Sequence, residues 1–274
     1  MTIPFTKMSG AGNDFVVVDN RENLVTDHSG FARLVCDRRW GIGADGILLV
    51  EPDKSEAYGM AYYNADGSYG GMCGNGGRCI ALYAVLEKIA PERHTFRALD
   101  HVYSAVVDGQ IVRLGMKDPK GLRKGFSITI PGHRMTGHFI DTGSPHVVVF
   151  IEELDAGKLP LGEIDVDRIG PKIRYHELFQ PDGTNVNFVH VAKDNLCYIR
   201  TYERGVEAET LACGTGSIAS AVIASEVKGL KPPIRILPKS EHELWVDFKG
   251  AAGRITGVEL RGPAVVTFRG TIEV

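Results

Sequence analysis

The chain of 274 residues has no run of about 18 consecutive apolar residues, so no membrane-spanning helix is expected. The stretch Met1-Thr2-Ile3-Pro4-Phe5-Thr6-Lys7 has no apolar leader core, and no Asn-x-Ser/Thr acceptor occurs anywhere. These absences point to the cytoplasm, where thiols stay reduced. The five cysteines (Cys36, Cys73, Cys79, Cys197 and Cys213) are odd in number and lack C-x₂-C spacing. That excludes a disulfide framework, and with no His pair nearby it argues against a metal site. A net charge of −3 without a basic stripe leaves no footprint for nucleic acid. There is no Walker loop and no H-E-x-x-H. Gly41-Ile42-Gly43-Ala44-Asp45-Gly46 spells G-x-G-x-x-G, but the apolar run Ile47 to Val50 follows where a dinucleotide site needs a helix.

What is present is glycine, 33 residues spread along the chain, and short β-rich runs between turn signals. Phe15 to Asp19 and Gly46 to Glu51 read as strands. Hairpins are expected over Tyr103 to Met116, turning at Asp108-Gly109 in a type I′ turn, and over Asn187 to Thr201, turning at Asp194-Asn195. A further one is expected within Glu243 to Val274. Helical patterns are few: Gly77 to Glu87, Gly216 to Lys228, and a third over Ser29 to Arg39. Many strands with few helices read as an α+β fold.

Each of the first two helices is preceded by a Cys-Gly-x-Gly segment, Cys73-Gly74-Asn75-Gly76 and Cys213-Gly214-Thr215-Gly216, about half the chain apart. Both follow a strand-like segment and a polar loop, which suggests two halves of similar architecture. A helix N-terminus carries unpaired backbone N–H groups and partial positive charge. A thiolate there is stabilised, and flanking glycines let an anion approach the amides. Two such thiols around one carboxylate-bearing carbon suit inversion at an amino-acid α-carbon. One removes the α-proton, the other returns a proton to the opposite face, and each becomes the other after turnover. Amides directed at the carboxylate would spread the carbanion charge. Free cysteine is more often a small buried hydrophobe, and Cys36, Cys79 and Cys197 keep that reading. Most of the nine histidines read as surface or packing residues. His146, in the loop Thr142-Gly143-Ser144-Pro145-His146, is the exception to watch.

Lys7-Met8-Ser9-Gly10-Ala11-Gly12-Asn13-Asp14-Phe15, Asn64-Ala65-Asp66-Gly67-Ser68 and the first cysteine motif resemble the diaminopimelate epimerase family. So do Gly143-Ser144-Pro145-His146, Asn185-Val186-Asn187-Phe188, and Tyr202-Glu203-Arg204-Gly205 leading through Glu209-Thr210 to the second motif. The resemblance implies interconversion of LL- and meso-diaminopimelate without pyridoxal phosphate, other cofactor or metal, serving lysine and peptidoglycan synthesis. It implies two pseudo-symmetric lobes, each a mixed or antiparallel sheet wrapped around a central helix. The lobes would span residues 1–117, with 263–274 returning, and 118–262. A homodimer is usual for the family. By the same resemblance Cys73 and Cys213 are the acid/base pair. The amides of Gly74, Asn75, Gly214 and Thr215 would hold the reacting carboxylate. Asn64, Asn185 and Arg204 would grip the distal carboxylate, Glu203 would lie near an ammonium, and Asn13 would touch substrate. His146 and Glu203 would tune the thiols. Two positions depart from a common form of the pattern: Gly46 stands where some members have Gln, and Ser144 where some have Asn. The alternatives are a proline or hydroxyproline epimerase, which would need no distal clamp, a thiol-redox protein, and a non-catalytic relative.

Overall fold

The structure is a computed structural model that describes residues 2–155, 159–251 and 254–274. The chain divides into two compact units, one formed by Met1–Met116 with Arg261–Val274 and one by Lys117–Leu260.

In the first unit, β1 (Thr2–Gly10) pairs antiparallel with β2 (Asn13–Asp19). Helix α1 (His28–Cys36) then crosses over to β3 (Gly46–Glu51), which lies parallel to β2 and antiparallel to β4 (Gly59–Asn64). Helix α2 (Gly74–Leu86) follows. β5 (Arg93–Ala98) comes next, parallel to β4, and then β6 (His101–Asp108) and β7 (Ile111–Gly115) in antiparallel succession.

The second unit repeats this plan. β8 (Lys120–Ile130) and β9 (His133–Asp141) form a hairpin, and β9 is antiparallel to β10 (Pro145–Phe150). Helix α3 (Val166–Arg174) crosses over to β11 (Asn185–Val191), parallel to β10, and β11 is antiparallel to β12 (Leu196–Glu203). The short β13 (Ala208–Thr210) leads to α4 (Gly214–Lys228). β14 (Ile234–Leu237) then lies parallel to β12 and antiparallel to β15 (Leu244–Ala251). After β16 (Arg254–Pro263), β17 (Val265–Glu273) pairs antiparallel with β1. The hairpin expected near the C-terminus runs through residues 252–253, which lie outside the described residues.

Side-chain alternation explains why each sheet has a helix on both faces. In the first unit Val16, Val18, Ile47 and Leu49 pack with Phe31, Ala32 and Val35 of α1. Leu48 points the other way, to where a Cβ on Gly76 of α2 would meet it at 3.0 Å. In the second unit Val147, Val149, Val186 and Phe188 pack with Val166, Ile169 and Ile173 of α3. Here Asn187 points to α4, within 2.4 Å of a Cβ built on Gly216. Helix α2 is buried from Gly74 to Ala84, and α4 at Gly214 and from Gly216 to Ala224. A helix apolar all round belongs inside, and these two are the central helices of their units. Among the described residues no helix is long and apolar enough to cross a membrane.

Three sequence expectations need correction. The Asp108 hairpin turns one residue later, because Asp108 pairs with Ile111 and leaves Gly109-Gln110 as the loop. Gly109 alone has positive φ there, 57°, which fits a type II′ rather than a type I′ turn. The central helices start earlier than Gly77 and Gly216, so the motif glycines form the first helical turn instead of a preceding loop. Helix α3 is absent from the sequence reading altogether, since Gly170 and Pro171 sit inside it. Gly170 is there because a Cβ would meet the Tyr202 ring at 2.5 Å.

Candidate active site

Cys73 is the N-cap of α2, with extended backbone (φ −114°, ψ 124°). Its Sγ accepts the Gly76 N–H at 3.5 Å and donates to Asn13 Oδ1 at 3.6 Å. The Asn75 amide, 1% exposed, donates Nδ2–H to the same Asn13 oxygen at 3.4 Å. Asn13 is held from behind by Asp45, whose Oδ2 accepts Asn13 Nδ2 at 2.6 Å. Asp45 belongs to an ion network with Arg38, Asp14 and Lys7. Lys7 also donates Nζ–H to the Gly43 carbonyl. Burial pushes Asp14 up, but the Arg38 and Lys7 hydrogen bonds and charges outweigh it and hold the carboxyl at about 2.

Beneath this helix start lies Arg78, fully buried, with its guanidinium bonded to Gly74 O at 3.2 Å, Asn75 Oδ1 at 2.9 Å and Pro263 O at 3.4 Å. None of these partners is a carboxylate. Burying an ion costs several kcal/mol. Burial pulls the Arg78 pKa down from its ordinary value, and only Cys79 and Cys73 work against it. The cation is therefore held by carbonyl oxygens, two from its own helix and one from Pro263.

Cys213, 5% exposed, is the N-cap of α4, again extended (φ −114°, ψ 114°). Its Sγ lies 3.5 Å from Thr215 Oγ1, and its carbonyl accepts Ser217 Oγ–H at 2.8 Å. His146, 0% exposed, places Nε2 2.9 Å from Thr215 Oγ1 and Nδ1 3.1 Å from Asn187 Nδ2. Burial, and secondarily the Arg204 charge, depress the imidazole pKa to about 3. His146 is therefore neutral throughout the ordinary pH range.

Asn185 donates Nδ2–H to Ser144 Oγ and Pro145 O, both at 2.8 Å, and its Oδ1 accepts the Arg204 N–H at 2.8 Å. In this arrangement the Asn185 side chain fastens the segment that carries Arg204. Ser144, at a departure from the family pattern, takes part in that fastening. The half-buried Arg204 guanidinium donates to the Asp182 carbonyl at 3.3 Å and meets no carboxylate among the described residues. Glu203 accepts Thr210 Oγ1–H at 2.9 Å. Asn64 accepts Tyr62 Oη–H at 2.6 Å and donates to Ser68 Oγ at 2.9 Å. At Gly46 a Cβ would meet the Tyr63 carbonyl at 2.4 Å and the Tyr62 ring at 2.7 Å, so here the Tyr62 ring occupies the space of a residue-46 side chain.

Each unit thus presents a cysteine at the head of a buried helix that opens on glycine and whose first amides follow directly, the Gly76 amide bonding to the Cys73 sulfur. A thiol so placed can exchange a proton while those amides take up developing negative charge. A profile of the diaminopimelate epimerase family matches residues 5–115 and 138–249. The chain belongs to the diaminopimelate epimerase family. It is 42% identical over 269 residues to a diaminopimelate epimerase of Chlorobaculum tepidum, covering 97% of this chain and 99% of that one. A second diaminopimelate epimerase, from Archaeoglobus fulgidus, is 42% identical over 242 residues, 83% of each chain. Among solved structures, a hydroxyproline epimerase from Agrobacterium vitis matches with TM-score 0.73 at 15% identity, covering 99% of this chain and 92% of that one. A probable proline racemase from Agrobacterium radiobacter matches with the same TM-score at 16% identity, with the same coverage. These structural matches speak for the fold.

Within the diaminopimelate epimerase pattern, four polar residues around the cysteines escaped the sequence reading as site residues: Asp45, Arg78, Asn187 and Thr201. Two had a visible signal. Arg78 is the one charge among the apolar residues of α2, and Asn187 interrupts an apolar strand between Val186 and Phe188. Asp45 sat in a glycine-rich turn, and Thr201 in an ordinary alternating strand, where nothing local marks them.

Proposed function

We propose that this chain epimerises LL-diaminopimelate to meso-diaminopimelate by two-base proton transfer, with Cys73 and Cys213 as the acid/base pair. Family membership makes it an amino-acid epimerase, an isomerase. The observation that carries the cysteine roles is that both occupy the N-cap of a buried central helix in the same backbone conformation. In this reading one sulfur, as thiolate, takes the α-proton, and the other, as thiol, delivers a proton to the opposite face. The first amides of α2 and α4, at Gly74, Asn75, Gly214 and Thr215, receive the reacting carboxylate as its charge grows. No step passes through pyridoxal phosphate or a metal.

The second carboxylate distinguishes diaminopimelate from proline. Arg204 supports it, because a half-buried guanidinium that among the described residues meets only a backbone carbonyl suits paired bonds to a carboxylate. Asn185 positions Arg204, Asn64 and Glu203 complete the distal contacts, and Asn13 serves both substrate and Cys73. The enzyme works in the cytoplasm as a homodimer, in lysine and peptidoglycan precursor synthesis.

The test is α-deuterium incorporation from deuterated water into meso-diaminopimelate by the reduced protein, with proline as control substrate. LL-isomer formation in the parent, reduced about 10³-fold in Cys73→Ala and in Cys213→Ala, is the expected result. Exchange into proline alone would change the substrate, and no exchange into either would overturn the reading.

A further inference from the structure

The register of the two units puts their strands in one-to-one correspondence. Phe15 pairs with Gly46 and Leu48 with Tyr62 in the first unit, as His146 pairs with Asn185 and Asn187 with Thr201 in the second. The positions behind the start of α2 are therefore Phe15, Leu48 and Tyr62, with Phe15 and Tyr62 in edge contact at 5.8 Å. Those behind the start of α4 are His146, Asn187 and Thr201. The fold is satisfied by apolar and aromatic side chains at these places, so the polar set in the second unit is not an architectural requirement.

The polar set forms a directed chain. Thr201 Oγ1–H donates to Asn187 Oδ1 at 3.0 Å. Asn187 Nδ2 lies 3.0 Å from the Val147 carbonyl, which can only accept, so the nitrogen of the amide must face it. The second Nδ2 hydrogen then points to His146 Nδ1, 3.1 Å away. A neutral imidazole that accepts at Nδ1 carries its proton at Nε2, so His146 donates to Thr215 Oγ1 at 2.9 Å. With a lone pair of Oγ1 occupied, the Thr215 hydroxyl hydrogen is free to turn to Cys213 Sγ at 3.5 Å.

We infer that Asn187 is a positioning residue for Cys213, locking His146 in the Nε2-protonated tautomer so that the Thr215 hydroxyl donates its hydrogen to the Cys213 sulfur. The inference rests on the reading of Cys213 as an acid/base residue and adds how its thiolate is held. A hydrogen bond to the charged form favours that form. The donor is neutral and cannot itself lose its role by titrating, since burial and Arg204 keep His146 uncharged. Among the described residues Arg204 is also the one charged group acting on the ring. Asn187 from β11 and Thr215 from α4, the groups bonded to it, are neutral.

The measurement is the ultraviolet absorbance of the thiolate, titrated by pH in a Cys73→Ala background. The remaining cysteines are silent near neutrality, because burial pushes Cys36, Cys79 and Cys197 up to about 12. Adding Thr215→Val should raise the Cys213 midpoint by about one pH unit. Thr215→Ser should restore it, and Asn187→Leu, the first unit's own residue, should raise it by less. Nitrogen NMR of the His146 ring in the parent should show Nε2 protonated and Nδ1 bare. This reads the Asn187 role even if Asn187→Leu fails to fold. An unmoved midpoint in a folded Thr215→Val, or a ring protonated at Nδ1, overturns the inference. Because neither readout uses turnover, a failure here is distinct from a failure of the epimerase reading, which only the deuterium experiment reports.

Discussion

Helices α2 and α4 begin in nearly the same backbone conformation, at φ −114° and ψ 124° for Cys73 and φ −114° and ψ 114° for Cys213. Their surroundings differ in kind. Cys73 caps its own helix by accepting the Gly76 amide and sits above a buried, permanent cation, Arg78. Cys213 makes no side-chain cap bond and meets instead the hydroxyl at the end of a neutral polar chain. The residue two places after each cysteine divides the two solutions. Asn75 turns its amide back to Arg78, and Thr215 stands between His146 and the sulfur. One backbone plan thus surrounds its cysteine in two ways, with a buried charge in one unit and a neutral hydrogen-bonded chain in the other. In the proposed two-base reaction this would let each sulfur be tuned on its own.

The sharpest way to break this comparison is Arg78→Met. It removes the charge and takes the guanidinium bond from Gly74 O, Asn75 Oδ1 and Pro263 O. At about 1–3 kcal/mol for each unsatisfied buried group, the loss of stability should be about 3 kcal/mol. Urea unfolding would measure it. In a Cys213→Ala background the Cys73 thiolate midpoint should rise, while in a Cys73→Ala background the Cys213 midpoint should stay where it was. Equal movement of both would mean that the two sulfurs are not separately tuned.

Acid is the next probe. His146 has an ordinary value of 6.5 and a folded value of about 3, set first by burial. A base depressed in this way stabilises the fold fully above 6.5, and that contribution is withdrawn as pH falls from 6.5 to 3. Asp14, held at about 2 against 3.8, keeps its contribution until the pH drops below 3.8. Between pH 6.5 and 4 His146 should therefore weaken the second unit with a slope approaching about 1.4 kcal/mol per pH unit from this one group, while His94 of the first unit, also lowered by burial, acts in the same direction there. His146→Gln should flatten that slope in urea-unfolding midpoints taken across the range. A slope unchanged by the substitution would place the acid sensitivity elsewhere.

The mildest test uses the crossover helices. Asp27 caps α1 by accepting the Gly30 amide, and Asp165 caps α3 by accepting the Arg168 amide. Asp27→Ala and Asp165→Ala should each cost about 1 kcal/mol. Equal losses in chemical denaturation would extend the equivalence of the units to their outer helices, and a clear inequality would confine it to the inner ones.

Much of this was legible in the chain. Strands such as Phe15 to Asp19 are all β-branched or aromatic except at the end, and Asp194-Asn195 announced a turn that both residues indeed make at φ 59°. The cysteine motifs pointed to helix starts, although glycine in the motif argued for a loop. Tertiary contact decided otherwise, since Gly76 and Gly216 are the residues that let Leu48 and Asn187 approach the helices. Helix α3 was hidden by Pro171, which propensity alone rules against. The support for the cysteines was the least legible part. Thr201, Asn187, His146 and Thr215 come from four separate elements, and only strand register makes them one chain of hydrogen bonds.

The pairing of β17 with β1 makes the first unit discontinuous in sequence, whereas the second is a single uninterrupted stretch. On the ribosome, β17 emerges later than every other strand of either unit. The second unit can therefore close around α4 during synthesis, while β1 waits with one edge unpaired. Exposed strand edges invite pairing with other chains. The vulnerable interval in the life of this protein is thus the time between the emergence of β1 and that of β17. Slowing translation across the second unit would lengthen that interval without changing one residue of the product.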